Sequence, residues 1–330
     1  MIRHEPVSAG PDGSGSPARS AEGVQADLPR LAELLRGRRT VVLTGAGCST
    51  ESGIPDYRGP DGKLRARMPM RYQEFMRRRR SRARYWARSA VGWVRFSSAR
   101  PNAAHRALAR LEEGGWVTGV ITQNVDGLHQ AGGSRAVLEL HGSLSRVRCM
   151  ECGSQEGRNA VQRRLEALNP TMARSSGVKR AGPLGPSHGR DSPRSAPDGD
   201  VELPEGVEAG FRIPSCLECG GVLKPDVVFF GENVPGERVR RAWELYREAE
   251  LLLVVGSSLT VFSGRRFVLQ ASKEGRPVAI VNQGPTRGDE TARLKVPARA
   301  EKLLPALVGR LEELEQSGER RGVPTGPPDP

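Results

Sequence analysis

Five short apolar segments alternate with helix-like stretches along this chain, and that alternation restricts its fold more than any other feature. The segments lie at residues 40–47, 119–126, 137–142, 251–258 and 277–284, and each one ends in glycine or polar residues. Strands that alternate with helices are typical of a parallel sheet with helices packed on it. We therefore predict an α/β fold with a Rossmann-like parallel sheet.

The ends of these strands carry the residues suited to bind a ligand. Gly45, Gln123–Asn124, Gly256–Ser258 and Asn282 each follow an apolar run. In open α/β sheets ligands bind outside the carboxyl ends of the strands, so we expect one pocket lined by all four segments. The Gly-Ala-Gly turn at residues 45–47 would let backbone N–H groups approach a pyrophosphate. The full G-x-G-x-x-G pattern is absent, so a plain strand-to-helix turn remains an alternative.

Residues between 146 and 225 show little alternation of strand and helix and indicate a small inserted module. Within it, residues 171–200 are rich in Ser, Gly, Pro and Arg, which predicts a disordered loop. The predicted division is a flexible tail (1–26), a folded domain (27–316) with a Rossmann-like core (27–145 and 224–316) and an inserted module (about 146–223), and a second flexible tail (317–330).

Four of the five cysteines form two C-x-x-C pairs, Cys149 with Cys152 and Cys216 with Cys219. In a chain without an export signal, such pairs favour a metal site over a disulfide. Four thiolates complete a tetrahedral Zn²⁺ site and leave no open position. We therefore predict one structural zinc per chain, with a disulfide or free thiols as the alternatives. Cys48 stands apart and is predicted to be a small buried residue.

The net charge of +13 is carried mostly by arginine. A cluster of arginines within residues 77–84 would suit phosphate or an acidic partner, and a solvated helix face explains it equally well. Nucleic-acid binding has no support beyond this charge. No apolar run approaches 20 residues, which argues against a membrane span, and the N-terminus lacks a signal pattern. We expect a cytoplasmic protein.

The polar loop at residues 45–59, Gly-Ala-Gly-Cys-Ser-Thr-Glu-Ser-Gly-Ile-Pro-Asp-Tyr-Arg-Gly, is too long to be a simple connection. It resembles the signature of the sirtuin family. Further matches follow in order at 122–126, 140–142, the two cysteine pairs, 224–232, 256–258 and Asn282, so the resemblance covers roughly residues 28–310. It implies an NAD⁺-dependent deacetylase or deacylase that acts on acylated-lysine proteins. Such an enzyme transfers the acyl group to ADP-ribose and releases nicotinamide.

The resemblance also assigns roles to individual residues. A neutral imidazole suits the activation of a ribose hydroxyl near pH 7, and His141 matches the catalytic base of the family, with Asn124 and Asp126 beside it. The implied NAD⁺ contacts are Gly45, Ala46, Gly47, Ser49, Thr50, Ile54, Pro55, Asp56, Tyr57, Arg58, Gln123, Asn124, Val125, Asp126, Gly256, Ser257, Ser258, Asn282, Gln283, Gly284 and Ala300. The implied substrate contacts lie on a predicted strand at 224–232 and are Val228, Phe229, Phe230, Gly231 and Glu232.

Within the family the chain looks similar to the class II branch, which includes the mitochondrial sirtuin-four type. The strings at 84–88, 91–93, 96–98 and 196–200 support this. The first contains Tyr-x-x-Arg, which resembles the pair that binds carboxylate-ended acyl chains in some sirtuins. One hypothesis is a preference for acidic acyl groups. The alternative is a basic helix face with Tyr85 and Trp86 packed inward.

Three other functions are weighed against this one. A nicotinamide-dependent dehydrogenase is disfavoured because the third glycine and the acidic residue about 20 positions later are missing. A zinc-binding module on an inactive enzyme domain is disfavoured because His141, Asn124 and Asp126 are all present. A protein mono-ADP-ribosyltransferase using the same NAD⁺ site remains open, because both reactions begin with attack on the same ribose carbon.

Overall fold

The structure is a computed structural model that describes residues 21–64, 69–170, 196–201, 203, 206 and 209–317. The predictions of a tail over 1–20, a loop over 171–195 and a tail over 318–330 lie outside the described residues. Among the helices that are described, none combines the length and the apolar character needed to cross a lipid bilayer.

The larger sheet is parallel, as the sequence predicts, but it has six strands where the sequence indicated five; the strand at Leu294–Val296 was not predicted. The six strands are β1 (Thr40–Thr44), β2 (Val117–Thr122), β3 (Val137–Glu139), β7 (Leu251–Val255), β8 (Val278–Val281) and β9 (Leu294–Val296). Their order across the sheet is β3-β2-β1-β7-β8-β9, so the chain reverses its winding direction between β1 and β7. Every residue of β1 and β7 is buried, which explains why both strands are continuous apolar runs rather than alternating ones.

Helices cover both faces of this sheet. One face packs against α1 (Ala21–Leu35), α4 (Ala103–Glu113) and α9 (Ala300–Gln316), and the other packs against α7 (Gly236–Arg247) and α8 (Phe262–Lys273). The first helix begins at Ala21, so the predicted flexible tail over 1–26 is wrong for residues 21–26. These residues include Ala, Glu and Gln, which favour helix intrinsically but provide no apolar pattern. The short helix α5 (Leu128–Ala131) follows β2.

The predicted module (about 146–223) belongs to a second, smaller unit, for which we keep the name inserted module. This unit also includes residues 72–96 and 142–145, which the sequence analysis assigned to the core, and it is built around a three-stranded antiparallel sheet. Its strands are β4 (Gly142–Cys149), β5 (Gln155–Gly157) and β6 (Leu223–Val227), and its helices are α2 (Tyr72–Arg77), α3 (Arg79–Phe96) and α6 (Arg158–Leu168). These elements share one apolar core that includes Trp86, Val147 and Leu165. Sequence reasoning did not predict α6, although Val161, Leu165 and Leu168 follow one another at helical spacing.

The predicted strand at 224–232 ends earlier than expected, at Val227. Beyond it, the Val228 N–H donates to the carbonyl oxygen of His141 at 2.9 Å, and the Phe229 N–H donates to the carboxylate of Glu232 at 2.8 Å. Gly231 then adopts a positive φ of 79°, which glycine tolerates best. The substrate residues proposed from the sequence therefore lie on a loop and not on a strand.

The predicted disordered loop reached residue 200, but residues 196–200 pack against α3. Gly199 has a φ of 70°, and its carbonyl oxygen faces Gly92 so closely that a Cβ on Gly92 would lie 1.9 Å from it. Arg88 holds the same segment through an ion pair with Asp200 at 2.8 Å and a hydrogen bond to the Val201 carbonyl oxygen at 2.7 Å. The segment is thus held on α3 by a close backbone contact and by an ion pair.

We expect Gly92→Ala to destabilise the protein, although alanine favours helix over glycine. The new methyl group would collide with the Gly199 carbonyl, and overpacking of this kind costs about 1 to 3 kcal/mol. The matched control is Gly309→Ala in α9, where an added Cβ meets nothing within 4 Å. That variant should gain about 0.5 to 1 kcal/mol, and chemical denaturation measures both. Stabilisation by both substitutions would contradict the close contact at Gly199.

Candidate active site

The site begins where the loops after β1 and β7 touch. The Gly45 N–H donates to the Val255 carbonyl oxygen at 3.0 Å, and the Gly47 N–H donates to the Gly256 carbonyl oxygen at 2.9 Å. Gly256 has a φ of 61°, and a Cβ there would lie 2.4 Å from the backbone nitrogen of Cys48. Side chains are therefore excluded at this crossing. The crossing lies where the winding direction of the sheet reverses, the usual ligand position in this architecture.

A cleft open to solvent runs from this crossing to the inserted module. It brings together almost all the residues proposed from the sequence. The proposed NAD⁺ residues that line it are Gly45, Ala46, Gly47, Ser49, Thr50, Ile54, Asp56, Tyr57, Arg58, Gln123, Asn124, Val125, Asp126, Gly256, Ser257, Ser258, Asn282, Gln283, Gly284 and Ala300. His141, Val228, Phe229 and Phe230 also line it, whereas Pro55, Gly231 and Glu232 are not among the lining residues.

A buried polar network ties the loop after β1 to the residues after β2. The Asn124 side-chain amide donates to the Gly45 carbonyl oxygen and to the Ser49 hydroxyl oxygen, both at 3.1 Å. The Ser49 hydroxyl in turn donates to the carboxylate of Asp126 at 2.7 Å. Burial raises the pKa of Asp126, while its bonds from the Leu128 N–H and from Ser49 lower it. The network fixes the position of each group before any ligand binds.

Further polar side chains around the cleft are held by the protein itself. The Gln123 amide donates to the Ser257 hydroxyl oxygen at 2.9 Å and to the Thr44 carbonyl oxygen at 3.2 Å. The Asn282 amide donates to the Gly284 carbonyl oxygen at 2.9 Å. The guanidinium of Arg58 donates to the Gly62 carbonyl oxygen at 3.0 Å. Donors are thereby held in defined positions around the cleft.

His141 has a defined tautomer, which follows from its two partners. Its Nδ1 lies 3.0 Å from the Gln123 carbonyl oxygen, which can only accept, so Nδ1 carries the proton. Its Nε2 therefore has a lone pair and accepts from the Ser263 hydroxyl at 2.7 Å. Burial lowers the pKa of His141 to about 4, and the positive charges of Arg266 and Arg238 act in the same direction. The imidazole is thus a neutral base near pH 7.

Ser263 and Asp198 are residues of the site that sequence reasoning missed. Ser263 is an ordinary serine in the first turn of α8, 122 positions from His141, so no local pattern connects the two. Asp198 lines the cleft together with Tyr57 and Tyr85, and its charge helps raise the pKa of both phenols, although burial contributes more. Burial also raises the pKa of Asp198 itself.

Tyr85 and Arg88 do not form a free carboxylate-binding pair. Tyr85 is only 5% exposed, Trp86 is fully buried, and the Tyr85 ring lies 5.1 Å from that of Phe229. The alternative, in which both aromatic residues pack inward, is confirmed. Arg88 points to Asp200, with which it forms an ion pair, and it is not among the residues lining the cleft.

The four paired cysteines meet at one end of the inserted module. The Sγ atoms of Cys149 and Cys219 are 3.5 Å apart, and those of Cys152 and Cys216 are 3.7 Å apart. Four sulfurs bound tetrahedrally to Zn²⁺ at about 2.3 Å stand about 3.8 Å from one another, so the cluster fits the ion. All five cysteines are free of disulfides. The residues present therefore match a closed structural zinc site.

The fold and site together define a class: a doubly wound dinucleotide-type domain carrying a four-cysteine module. A sequence profile of the Sir2 family matches residues 45–263. NAD-dependent protein deacetylase 1 of Streptomyces coelicolor is 52% identical over 271 residues, 82% of this chain and 85% of that protein. The NAD-dependent protein deacetylase of Bordetella bronchiseptica is 50% identical over 283 residues, which are 86% of this chain and 97% of that protein.

Solved structures agree with the sequence comparison. A complex of Sir2 with a p53 peptide and NAD⁺ superposes with a TM-score of 0.63 at 30% identity, covering 88% of this chain and 98% of that one. The chain belongs to the Sir2 family, the sirtuins. The Rossmann-like sheet and the separate four-cysteine module predicted from the sequence are confirmed.

We expect Cys216→Ala to abolish stoichiometric zinc and to destabilise the protein. Loss of a structural metal removes folding free energy, here about 4 kcal/mol or more, which corresponds to a fall of about 10 °C in Tm. Metal analysis and thermal unfolding measure the two effects. Cys48→Ala is the matched control, because Cys48 lies outside the four-cysteine cluster and should keep one zinc. Wild-type protein without zinc would contradict the assignment.

Proposed function

We propose that this protein is an NAD⁺-dependent protein-lysine deacetylase. The observation that carries the proposal is the lone pair on Nε2 of His141, held at the edge of a cleft that also contains the loop crossing at Gly45 and Gly256. The relatives named above are deacetylases that use NAD⁺, and they match most of this chain. The proposal extends their activity to this chain because the same segments that carry the resemblance line its cleft.

NAD⁺, when bound, supplies an ADP-ribosyl group, and its pyridinium ring is the leaving group, which departs as nicotinamide. The residues that would hold it lie on the two crossing loops and after β8. The Gly45 and Gly47 N–H groups are used in the crossing, so these glycines would act by letting a pyrophosphate approach closely, while Ser257 and Asn282 suit ribose hydroxyls. Asn124 and Asp126 would orient polar groups near the nicotinamide end. His141 would accept a proton at Nε2, while its Nδ1–H bond to Gln123 keeps the ring in the correct orientation.

The loop at 228–231 is our proposed docking site for the substrate peptide. At least five of its backbone groups are used within the protein: the N–H groups of Val228 and Phe229, and the carbonyl oxygens of Phe229, Phe230 and Gly231. An extended peptide would pair with the remaining backbone groups. The Phe229 and Phe230 side chains line the cleft and would pack on the aliphatic part of the acyl-lysine.

We propose that the acyl group is neutral and small, as in acetyl-lysine. The carboxylate of Asp200 already occupies the guanidinium of Arg88, so Arg88 offers no free charge to an acidic acyl chain. Asp198, which lines the same cleft as Tyr57 and Tyr85, would repel such a chain when ionised. We further propose that the protein falls in the class II branch on the strength of the strings at 84–98 and 196–200, and that it works in the cytoplasm.

The test of the function is deacetylation of acetyl-lysine peptides by wild type and His141→Ala. Loss of the base should lower kcat by about 10² to 10⁴-fold while the fold is kept. Ser263→Ala is the matched control, since it removes the hydroxyl that donates to Nε2 and leaves the lone pair in place. Mass spectrometry of the peptide follows the product. ADP-ribosylated peptide in place of deacetylated peptide would contradict the proposal and support the transferase alternative.

The same base predicts the pH dependence of the wild-type enzyme. His141 must be neutral to accept a proton, and its pKa is lowered to about 4 by burial. As the pH falls, protonation of His141 should therefore leave kcat/KM unchanged down to about pH 5 and lower it below that pH. An acidic limb centred near 6.5, the ordinary value for histidine, would contradict a buried neutral base.

Arg88→Met should leave the preference for acetyl-lysine over succinyl-lysine unchanged. Because Arg88 pairs with Asp200, its loss leaves a carboxylate unpaired, and we expect lower stability rather than altered selectivity. Asp200→Asn is the matched partner variant, since it removes the same ion pair from the other side, and it too should lower stability without changing the preference. Turnover of the two peptides is compared across the three proteins. A wild-type preference for the succinyl peptide that Arg88→Met removes would restore the acidic-acyl hypothesis.

A further inference from the structure

Cys48, His105 and His129 form a buried cluster beneath the loop after β1, and the proposed reaction does not use it. One potential ligand atom from each residue lies within 4.8 Å of the other two. The three residues are 2%, 0% and 1% exposed. They come from three separate elements: a 3-10 turn after β1, the first turn of α4, and α5. Within the described part of the chain, no carboxylate joins this group.

His129 presents an unused lone pair in this cluster. The Thr44 hydroxyl donates to Thr122 at 2.8 Å, so the Nε2 of His129, 2.9 Å from the Thr44 oxygen, acts as the donor in that contact. Nδ1 then carries no proton, and it is buried without a hydrogen-bond partner among the residues the structure describes. A buried acceptor without a partner destabilises the fold, and a ligand at Nδ1 would remove that cost.

His105 can present a second nitrogen. In the helix-capping arrangement its Nδ1 accepts from the Asn102 N–H at 3.2 Å, which places the proton on Nε2. In the other tautomer Nδ1 donates to the side-chain oxygen of Asn102 at 3.0 Å, and the lone pair lies on Nε2, whose contact with the Ser49 hydroxyl is 3.5 Å and therefore weak. Metal binding at Nε2 requires this second tautomer. A histidine that donates one N–H to an oxygen and offers the other nitrogen is the usual arrangement of a metal ligand. Burial keeps both imidazoles neutral near pH 7 by lowering the pKa of each.

We propose that Cys48, His105 and His129 form a second metal site, which takes one Cu⁺ ion. One sulfur and two imidazole nitrogens are a soft donor set that suits copper or zinc. Cu⁺ with one thiolate is electrically neutral, whereas Zn²⁺ with one thiolate keeps a net positive charge, which is costly in a buried site. As the copper–sulfur bond forms, the thiol proton is released to solvent.

Occupation of this site would act on the cofactor loop. Ligands held about 2.0 to 2.3 Å from an ion in a trigonal arrangement stand roughly 3.5 to 4 Å apart. The donor atoms lie within 4.8 Å of one another, so binding draws together any pair that stands farther apart than these ligand distances. Cys48 adjoins Gly47 and Ser49, and Ser49 donates to Asp126. Copper should therefore lower deacetylation by about tenfold or more. This effect rests on the proposed function; the metal site does not.

The experiment is an anaerobic titration of full-length, zinc-loaded protein with Cu⁺ held in a chelator buffer. Wild type is compared with Cys48→Ala, Cys48→Ser and His129→Gln, each checked by zinc content and Tm so that only folded protein is compared. After desalting, we expect one copper and one zinc per wild-type chain, and zinc alone in the variants. X-ray absorption at the copper edge should show one sulfur and two imidazole nitrogens. Copper should inhibit the wild type and spare Cys48→Ala.

Equal copper in wild type and Cys48→Ala would overturn the proposal. So would copper bound by sulfur alone with loss of zinc, because that places the ion in the four-cysteine cluster. A second zinc in the wild type, absent from Cys48→Ala and not displaced by Cu⁺, would overturn the choice of ion. Correct copper binding without inhibition would overturn the coupling to the loop. Because metal content and spectra need no turnover, failure of the deacetylase proposal is recognised separately.

Discussion

The contact between the backbones of Gly45–Gly47 and Gly256 is the constraint on which the site depends. It joins two loops that leave the sheet in opposite winding directions, and its hydrogen bonds of 2.9 and 3.0 Å leave no room for a Cβ. Because the contact is made by backbone alone, the side chains of both loops remain available for the cleft. The crossing thus creates a surface of small residues at the edge of the sheet where the winding direction reverses, the usual position of a dinucleotide in this architecture.

The polar network around Asn124 transfers the rigidity of this crossing to the reacting region. Asn124 bonds to the Gly45 carbonyl oxygen on one side and to Ser49 on the other, and Ser49 bonds to Asp126. The same strand end supplies the Gln123 carbonyl oxygen that orients His141. A change at any member leaves a buried polar group without its partner, which costs more than the lost bond itself. Binding geometry and base orientation are therefore coupled through neighbouring residues of one strand end.

Sequence reasoning located most of the lining of the cleft because the relevant signals are local. Apolar runs that end in glycine or amide residues identify strand ends, and the spacing of Cys149 and Cys152 identifies a metal knuckle. The contacts that it missed are long-range. Ser263 meets His141 only through the packing of α8 on the sheet, and the docking of residues 196–200 on α3 depends on a glycine–glycine contact that no periodicity encodes. Pattern analysis predicts elements, whereas tertiary pairing decides these contacts.

One strand connects the proposed base to the proposed zinc. β4 begins at Gly142, directly after His141, and ends at the zinc ligand Cys149. Its middle is fixed by Arg146, which pairs with Glu139 at 2.7 Å and with Asp226 at 3.2 Å, while Asp226 also binds Arg238 at 2.6 Å. These partly buried ion pairs form one network that links the six-stranded sheet with the inserted module, so they hold β4 more firmly than isolated surface pairs would. A metal that performs no chemistry would therefore still affect catalysis, because disorder at Cys149 frees the strand that positions His141.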